Sequence, residues 1–353
     1  MEQPRLQYES VGCIHVHTQA SDGAGTHAEV AEIAAKTGLQ FLIITDHNIL
    51  VKNEEGYRQG VLFLVDEEVH DVHRNPERSH LLCLAVNEDV TTLASDPQAV
   101  VNAVRAQGGL PFIAHPFERI TTFSGEPDIG WIDWDVQDFT GFEVWNYMSE
   151  FKAYLPNLAR ALIMVFFPKA GIMGPFPEAL ACWDNALRRR KVVAIGGPDA
   201  HANIYRRGPL VRAVLPYEFL FRALRMHILT PQPLSGDFQR DRAMVYHSLG
   251  AGHSFIAYDL LGDANGFRFS ARSTSGVAGM GEELAVGEGV ELEVVSPRMA
   301  ELRIVHGGRV VTRTLGRRLN YVTHEPGAYR VEAYRWHLFR RRGWVFTNPI
   351  YLR

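Results

Sequence analysis

The chain has 353 residues, of which 46% are hydrophobic, and a formal net charge of −4. A sequence of this length is long enough for two domains, or for one barrel with an appended domain. Its slight negative charge argues against a general nucleic-acid-binding surface. No apolar stretch near the amino terminus resembles a secretion signal, and the apolar run at 161–167 is too short to span a membrane. The three cysteines show no paired spacing, which indicates reduced thiols, and we expect a cytoplasmic protein.

The first predicted strand, over residues 11–17, carries His15 and His17. Because side chains alternate along a strand, both imidazoles are expected on one face, about 7 Å apart. This spacing suits two ligands of one metal cluster, although a His-x-His pair alone is a weak indication. Asp22 follows within a few residues.

A helix is predicted next, beginning at a capping box formed by Thr26 and Glu29 and ending at Gly38. A strand over residues 40–46 follows and ends beside His47. This strand–helix–strand unit predicts a right-handed parallel crossover.

Short apolar runs predict five further strands, and helices are predicted between some of them. The five runs lie near residues 61–67, 81–86, 110–114, 141–145 and 192–196, and the helices lie near 97–107 and 176–190. Seven alternating units around one ligand cluster favour a barrel over an open sheet.

Residues that commonly bind metals stand at the ends of these apolar runs, where reactive groups collect in α/β proteins. They are Glu68, His80, His115, Asp199 and His201. His80 is the exception in placement, because it begins its run instead of ending it.

The carboxyl-terminal part has a different character. Residues 219–229 predict a helix, and residues 230–237 a linker-like break. From about residue 253, alternating runs separated by glycine-rich turns predict an antiparallel module resembling a small β-sandwich. We therefore expect a barrel domain over 1–250 and a β-rich domain over 251–353. The long segment 147–175 either covers the site or is a packing insertion.

Taken together, the motifs resemble the polymerase and histidinol phosphatase (PHP) family over roughly residues 10–205. The matching motifs are His15-x-His17, Ser21-Asp22-Gly23, Thr45-Asp46-His47-Asn48, Glu68, His80, Ala114-His115-Pro116 and Asp199-Ala200-His201. The resemblance implies a distorted (β/α)7 barrel that binds two or three divalent metal ions. Residues 344–351 are similar to the closing module of carbaryl-hydrolase-like bacterial metallohydrolases.

The resemblance also implies which residues hold each ion. The first ion would be held by His15, His17, Glu68 and Asp199, the second by Asp22, His47 and His201, and the third by Glu68, His80 and His115. One departure concerns the glutamate: the family usually has glycine two residues before it, whereas this chain has Asp66-Glu67-Glu68. Glu67 therefore competes for the role, although alignment with the motif favours Glu68.

Imidazole and carboxylate ligands suit zinc, manganese or iron. Such ions lower the pKa of a bridging water and stabilise charge on phosphate oxygens. We therefore expect a phosphoesterase that uses a metal-bridging hydroxide on a small phosphorylated metabolite or nucleotide, with Glu68, Asp199 and His201 at the catalytic centre.

Other residues are candidates for supporting roles. Asp46 is expected to orient its neighbour or to lie behind the ligands, and the pair Glu143 and Asn146 to contact either the substrate or the ligands. Three arginines, Arg119, Arg206 and Arg207, follow ligand motifs and could bind substrate oxygens. The remaining histidines are interpreted as ordinary: His27, His70, His73, His227 and His253.

Two other functions compete with phosphoester hydrolysis. The same centre could hydrolyse a carboxylic or carbamic ester, or the chain could be a non-catalytic binding protein that keeps a metal. The complete ligand set argues against the latter. The expected partner is an anionic small molecule, with no stable nucleic-acid or membrane binding; the pattern leaves open a homo-oligomer and the identity of the leaving-group acid.

Overall fold

The computed structural model describes residues 7–119, 127–157, 159, 163–164, 171–207 and 210–353, with only the backbone for 204–207 and 210–213. The described strands are β1 (Tyr8–Cys13), β2 (Phe41–His47), β3 (Gly56–Arg58), β4 (Val61–Val69), β5 (Leu81–Leu84), β6 (Leu110–Ile113), β7 (Gly141–Asn146), β8 (Val193–Gly197), β9 (Ile204–Arg207), β10 (Leu210–Ala213), β11 (Leu224–Thr230), β12 (Ser254–Tyr258), β13 (Arg268–Ser273), β14 (Gly276–Gly279), β15 (Glu283–Leu284), β16 (Val290–His306), β17 (Arg309–Thr323), β18 (Gly327–His337), β19 (Arg340–Thr347) and β20 (Ile350–Leu352).

The α-helices are short and lie mainly between the early strands. The α-helices whose bounds lie within the described residues are α1 (His27–Lys36), α2 (Pro97–Ala106), α3 (Tyr147–Ala153), α4 (Pro177–Leu187), α5 (Tyr217–Ala223) and α6 (Phe238–Ala251). Within the described ranges, none of the helices has the length and apolar character that a membrane crossing requires.

Seven strands pair in the order β1–β2–β4–β5–β6–β7–β8. A parallel bridge between Val16 and Ala200 then brings the chain after β8 beside the chain after β1. Most of these pairs are parallel, but β5 is antiparallel to both β4 and β6. This reversal explains why His80 precedes its strand whereas the other ligand candidates follow theirs. The start of an antiparallel strand lies at the same edge of the sheet as the ends of its neighbours. The predicted mixed α/β class is confirmed.

The first helix shows how local sequence fixes its element. Thr26 accepts a hydrogen bond from the Glu29 backbone, and the Glu29 side chain accepts one from the Thr26 backbone, so the predicted capping box is present. Val30, Ala31 and Ala34 form the buried face of α1. The helix therefore begins as predicted and covers β4.

The predicted helix over 219–229 is only half right. Helix α5 ends at Ala223, and β11 continues from there, pairing antiparallel with β1 on one side and β12 on the other. The free edge of β1 supplies backbone partners that helical propensity alone does not outweigh. The expected break at 230–237 leads into α6, a helix that the sequence pattern did not indicate.

The carboxyl-terminal strands are mainly antiparallel, as predicted. Strand β12 pairs with β19, which continues through β18 to β16, and β16 also pairs with β13 and β17. A second hydrophobic core lies here and includes Phe255, Phe269, Leu302 and Trp344. Hydrogen-bonded pairing continues from β11 into these strands, so the predicted boundary near residue 250 stays a prediction.

Polar contacts join the two parts. Asn348 accepts a hydrogen bond from the Ala194 backbone at 2.8 Å and donates one to the Ala194 carbonyl at 2.9 Å. Arg330 on β18 forms two 2.7 Å bonds to Asp184 on α4 and one of 2.7 Å to Glu332. The carboxyl-terminal strands thus contact both the strand that leads to Asp199 and a helix packed outside it.

Candidate metal centre

Glu68, at the end of β4, is fully buried at the centre of a histidine cluster. Its Oε2 atom lies 3.0 Å from His15 Nε2, 3.3 Å from His17 Nε2 and 3.3 Å from His47 Nδ1. Its other oxygen, Oε1, lies 2.8 Å from His80 Nδ1 and 3.0 Å from His115 Nε2. One carboxylate therefore faces five imidazoles, which suits a residue that bridges cations.

Two further carboxylates complete the cluster. Asp199 Oδ1 lies 3.3 Å from His17 Nε2 and 3.4 Å from His201 Nδ1. Asp22 Oδ1 lies 3.2 Å from His201 Nε2 and 3.8 Å from His47 Nε2. The structure therefore brings together all nine residues proposed as ligands, and their role in binding metal stays a prediction.

The ligand atoms fall into small groups whose members lie within 4.8 Å of one another. These groups are His17, Asp22, His47 and His201; His15, His17 and Asp199; His15, Glu68 and His115; and His47, His70 and His80. The grouping overlaps with the three sets implied by the family resemblance without reproducing them.

Unusual backbone conformations help to aim these side chains. His15, His115 and Asp199 have φ angles of 63°, 25° and 50°, values that residues other than glycine rarely adopt. The expectation that 11–17 is one extended segment is wrong, because β1 ends at Cys13. The rings of His15 and His17 instead come within 5.2 Å, between centroids, because the chain turns after β1.

Glu143, on β7, supports the ligands from behind. Its Oε1 atom lies 2.9 Å from His15 Nδ1, and its Oε2 atom accepts a 3.0 Å bond from the His115 backbone. Asn146 donates to Glu143 at 2.9 Å and to Asp199 at 3.2 Å. Such contacts fix the orientation of ligand side chains. We expected Glu143 and Asn146 to contact either the substrate or the ligand residues, and the structure shows contacts to the ligand candidates His15 and Asp199.

Of the two roles expected for Asp46, its described hydrogen bonds fit a position behind the ligand candidates. It accepts 2.7 Å hydrogen bonds from the Thr18 backbone, the Thr18 hydroxyl and the Ser21 hydroxyl. It therefore holds the loop that carries Asp22, and so acts on the ligand of another element.

Glu67 and Glu68 have different surroundings. Glu67 accepts a hydrogen bond from the Val90 backbone at 2.9 Å, away from the histidines. Burial raises its pKa to about 7. Of the two adjacent glutamates, only Glu68 lies in the cluster.

His70 is the residue that the motifs missed. Its ring stacks on that of His80 with centroids 4.2 Å apart, and its Nε2 atom lies 2.9 Å from Glu77. The His70 backbone donates to Asn48 at 3.0 Å. The available signal was its position two residues after Glu68, which places both on one face of a strand.

The charges of the cluster depend on one another. Burial disfavours the charged form of His17, but Asp199 and Glu68 raise its pKa to about 9. Burial also disfavours ionised Asp22, but His201, His47 and His17 lower its pKa to about 2. The carboxylates are therefore ionised, and protons compete with cations for the imidazoles.

The residues present fit a divalent cation. Among the described residues, neither nitrogen of the fully buried His17 ring has a hydrogen-bond partner, nor do the buried Nδ1 atoms of His47 and His115. Buried polar atoms without partners cost free energy, which coordination of a metal would offset. Nitrogen and oxygen donors without thiolate suit zinc, manganese or iron.

The three arginines are not seen at the cluster. Arg119 lies at the surface, where it pairs with Glu178 at 3.0 Å and stacks on Phe176. The side chains of Arg206 and Arg207 lie outside the described part of the structure. Substrate binding by these arginines stays a prediction.

A cavity of about 530 Å³ opens above the cluster. Its floor consists of ligand candidates, including Glu68, Asp199 and His201, whereas Val72, Ile129 and Lys152 contribute to its walls. The volume is that of a site for a small molecule.

Comparison with known proteins places this geometry in context. No family model matches the chain. Over 144 residues it is 26% identical to an uncharacterised protein of Methanocaldococcus jannaschii, covering 38% of this chain and 80% of that protein. Over 88 residues it is 33% identical to a phosphoribosyl 1,2-cyclic phosphate 1,2-diphosphodiesterase of Eggerthella lenta, covering 23% of this chain and 33% of that enzyme. The chain thus spans about one third of the length of this second relative.

One solved structure matches almost end to end. It is a two-domain protein from Bacteroides vulgatus that contains a predicted PHP-like metal-dependent phosphoesterase; the match covers 99% of this chain and 97% of that one, with 15% identity and a TM-score of 0.47. The description of that protein names the same family that the sequence motifs of this chain resemble.

Proposed function

We propose that the chain is a metal-dependent phosphoesterase that acts on a small anionic phosphate ester. The observation that carries the proposal is the convergence of seven imidazole and carboxylate residues around Glu68 and Asp199, together with buried nitrogens of His17 that have no hydrogen-bond partner in the described part of the chain. The named relative from Eggerthella lenta is a phosphodiesterase, which supports the same reaction class.

The ligand candidates divide the work between them. Glu68 is placed to bridge cations, because its two oxygens face different histidines. Asp199 would hold a cation together with His15 and His17, and His201 a second one together with Asp22 and His47. When bound, two or three ions would lower the pKa of a water and neutralise charge on the phosphate.

The chain's own groups fix the geometry of this centre. Glu143 orients His15 through Nδ1 and holds the backbone of His115, so both rings present their Nε2 atoms to Glu68. Asn146 restrains Asp199. A centre positioned in this way loses little free energy to reorganisation during the reaction.

We interpret the ring β1–β2–β4–β5–β6–β7–β8 as a distorted (β/α)7 barrel, in which β5 is the distortion. The strands after residue 250 are interpreted as a separate domain resembling a β-sandwich. The second hydrophobic core supports this division.

Hydrolysis of a carboxylic or carbamic ester is the second candidate. Val72 and Ile129 give the cavity some apolar wall, which would suit an uncharged substrate. The phosphoester is preferred because a cluster of cations binds an anion more strongly than a neutral ester.

Activity on p-nitrophenyl phosphate and on 1-naphthyl acetate, measured with manganese or zinc added, tests the proposal. We expect turnover of the phosphate ester, and a loss of about 10³-fold or more in the His17→Ala variant because the cluster loses a shared ligand. His73→Ala is the control, since His73 is exposed on a loop. Full turnover by His17→Ala, or preference for the naphthyl ester, would contradict the proposal. Metal binding without turnover would favour a binding protein.

A further inference from the structure

A second cavity, of about 450 Å³, lies at the edge of the ring opposite the candidate metal centre. Its lining includes Thr140, which precedes β7, and Val193, which begins β8. At the other ends of these two strands, Asn146 and Asp199 contact each other in the metal centre. Six residues of extended chain span about 20 Å, so the two cavities are separate sites.

This second cavity lies where the ring meets the carboxyl-terminal strands. The end of α6, at Gly250 and Ala251, forms one wall, and Gly281 and Tyr351 contribute another. Gly281 has a φ of 84°, and a Cβ atom at this position would overlap the Ala251 carbonyl oxygen, so the two walls are in close backbone contact. A ligand bound in the cavity would therefore contact both parts of the molecule.

Positive charge predominates in this cavity, although the chain as a whole has a formal net charge of −4. Three lysine or arginine side chains and one carboxylate contribute to the lining: Arg105, Arg190, Lys191 and Asp138. Lys191 pairs with Glu283 at 3.2 Å, but Glu283 also pairs with Arg353 at 2.9 Å. The neighbouring acids therefore leave part of the positive charge unbalanced.

The two arginines of the cavity lie close enough to repel each other. The Arg190 guanidinium stacks 4.3 Å from the centre of the Phe139 ring and donates to the Lys191 carbonyl at 3.1 Å. Burial lowers the pKa of Arg190, and the like charge of Arg105 lowers it as well, whereas Asp138 opposes the shift. Within the described part of the chain, neither arginine forms an ion pair with a carboxylate, and both are exposed enough for a ligand to reach. An anion between them would relieve the repulsion.

We propose that this cavity binds a small polyanion, held by Arg105 and Arg190 with Lys191 as a third contact. The ligand class is a compound with two or more phosphate or carboxylate groups, because a planar guanidinium group can donate two parallel hydrogen bonds to either. The volume of the cavity is that of a site for such a molecule. By contacting the ring and the carboxyl-terminal strands together, the ligand stabilises the folded chain.

Calorimetry with methylenediphosphonate and with tricarballylate tests the inference at a constant ionic strength set with sodium chloride. The full chain is first dialysed against chelator and then against buffer, so that the probes cannot bind metal ions. We expect one molecule of probe per chain with a Kd below about 1 mM, and a melting temperature that rises with probe concentration. The probe that binds more tightly identifies phosphate or carboxylate as the preferred group, whereas binding of neither would overturn the inference.

Arg190→Met and Arg105→Met should each weaken binding of the preferred probe about tenfold, because each removes one charged partner. Arg189→Met is the matched control, since Arg189 is adjacent, exposed and outside the lining of the cavity. It removes the same charge and should bind the probe as the unaltered chain does. Equal weakening in Arg189→Met would show an effect of overall charge and would overturn the assignment to this cavity.

Two further comparisons separate this cavity from the metal centre and from effects on folding. His17→Ala alters only the metal centre, so the folded variant should bind the probe as tightly as the unaltered chain. Circular dichroism checks the fold of each variant, and Arg105→Met carries the test if Arg190→Met does not fold, because Arg105 is exposed. Binding that a folded His17→Ala loses, or that the folded cavity variants retain in full, would overturn the inference.

Discussion

Two buried histidines in this molecule, His227 and His17, each lie between two carboxylates, yet their surroundings differ. His227 Nδ1 lies 2.7 Å from Glu9 and its Nε2 lies 3.1 Å from Asp259, so both nitrogens are hydrogen bonded. The Nε2 atom of His17 lies 3.3 Å from a carboxylate oxygen of both Glu68 and Asp199, but neither contact has the geometry of a hydrogen bond.

The difference extends to the carboxylates. Glu9 is also paired with Arg268, and Asp259 lies 3.6 Å from Arg225, so each carboxylate around His227 has a second cationic partner. Around His17, the carboxylates are shared among several imidazoles, and four ring nitrogens form no hydrogen bond with a described residue. A buried polar cluster whose groups are all hydrogen bonded is consistent with a structural role, whereas buried nitrogens without hydrogen bonds call for a further partner, and we propose that this partner is a cation.

We expect the Glu68→Gln substitution to have the largest effect, because it removes the negative charge that five imidazoles of the candidate metal centre share. We expect metal content to fall and kcat/KM to drop about 10³-fold or more, equivalent to about 4 kcal/mol. Metal analysis after loading and dialysis, together with kinetics on p-nitrophenyl phosphate, measures both effects.

Glu67→Gln is the matched control, since Glu67 is adjacent, buried and bonded to Val90 instead of the histidines. It should keep its metal and most of its activity. Equal metal loss in both variants would contradict the assignment of Glu68 as the bridging residue.

Arg330 with Asp184 and Glu332 is a second buried cluster whose charged groups pair with one another. The Arg330→Met substitution tests its role, because it removes the buried guanidinium and leaves both carboxylates without their cation. Breaking such a buried pair costs about 3–5 kcal/mol in the free energy of unfolding. Urea unfolding of the chelator-treated protein measures the loss. In a separate, metal-loaded sample, the variant should bind as much metal as the unaltered chain. Arg318→Met is the control, because Arg318 pairs with Glu293 at the exposed surface and should cost less than about 1 kcal/mol. Similar losses in both variants would mean that the buried pair adds nothing.

The contribution of His227 to the free energy of unfolding should depend on pH. Burial disfavours charge on His227, but Asp259 and Glu9 raise its pKa to about 9. Because the pKa in the unfolded chain is about 6.5, charged His227 stabilises the fold fully below pH 6.5, and this contribution is lost as the pH rises through 9. The contribution is at most about 3 kcal/mol.

Urea unfolding of the unaltered chain and of His227→Gln, both with chelator, measures this contribution. The difference between them should shrink as the pH rises from 6 to 9.5, while the histidines of the metal centre titrate equally in both. A difference that is constant, or that grows with pH, would show that His227 is neutral in the folded chain.

Much of the fold and of the candidate site was accessible from local sequence. The apolar runs located all seven strands of the ring, and the capping box located the start of α1, because side-chain periodicity and capping are properties of neighbouring residues. The order and type of the candidate ligand residues predicted a cation site. None of this required knowing which strands pair.

Tertiary structure decided how those residues act. The reversal of β5 placed His80 with the other ligands, the edge of β1 turned half of a predicted helix into β11, and strand contacts separated Glu68 from Glu67. His70 joined the cluster for the same reason. These outcomes depend on pairing between residues far apart in the chain, which local periodicity does not encode, so the sequence determined the chemistry available and the fold determined where it converges.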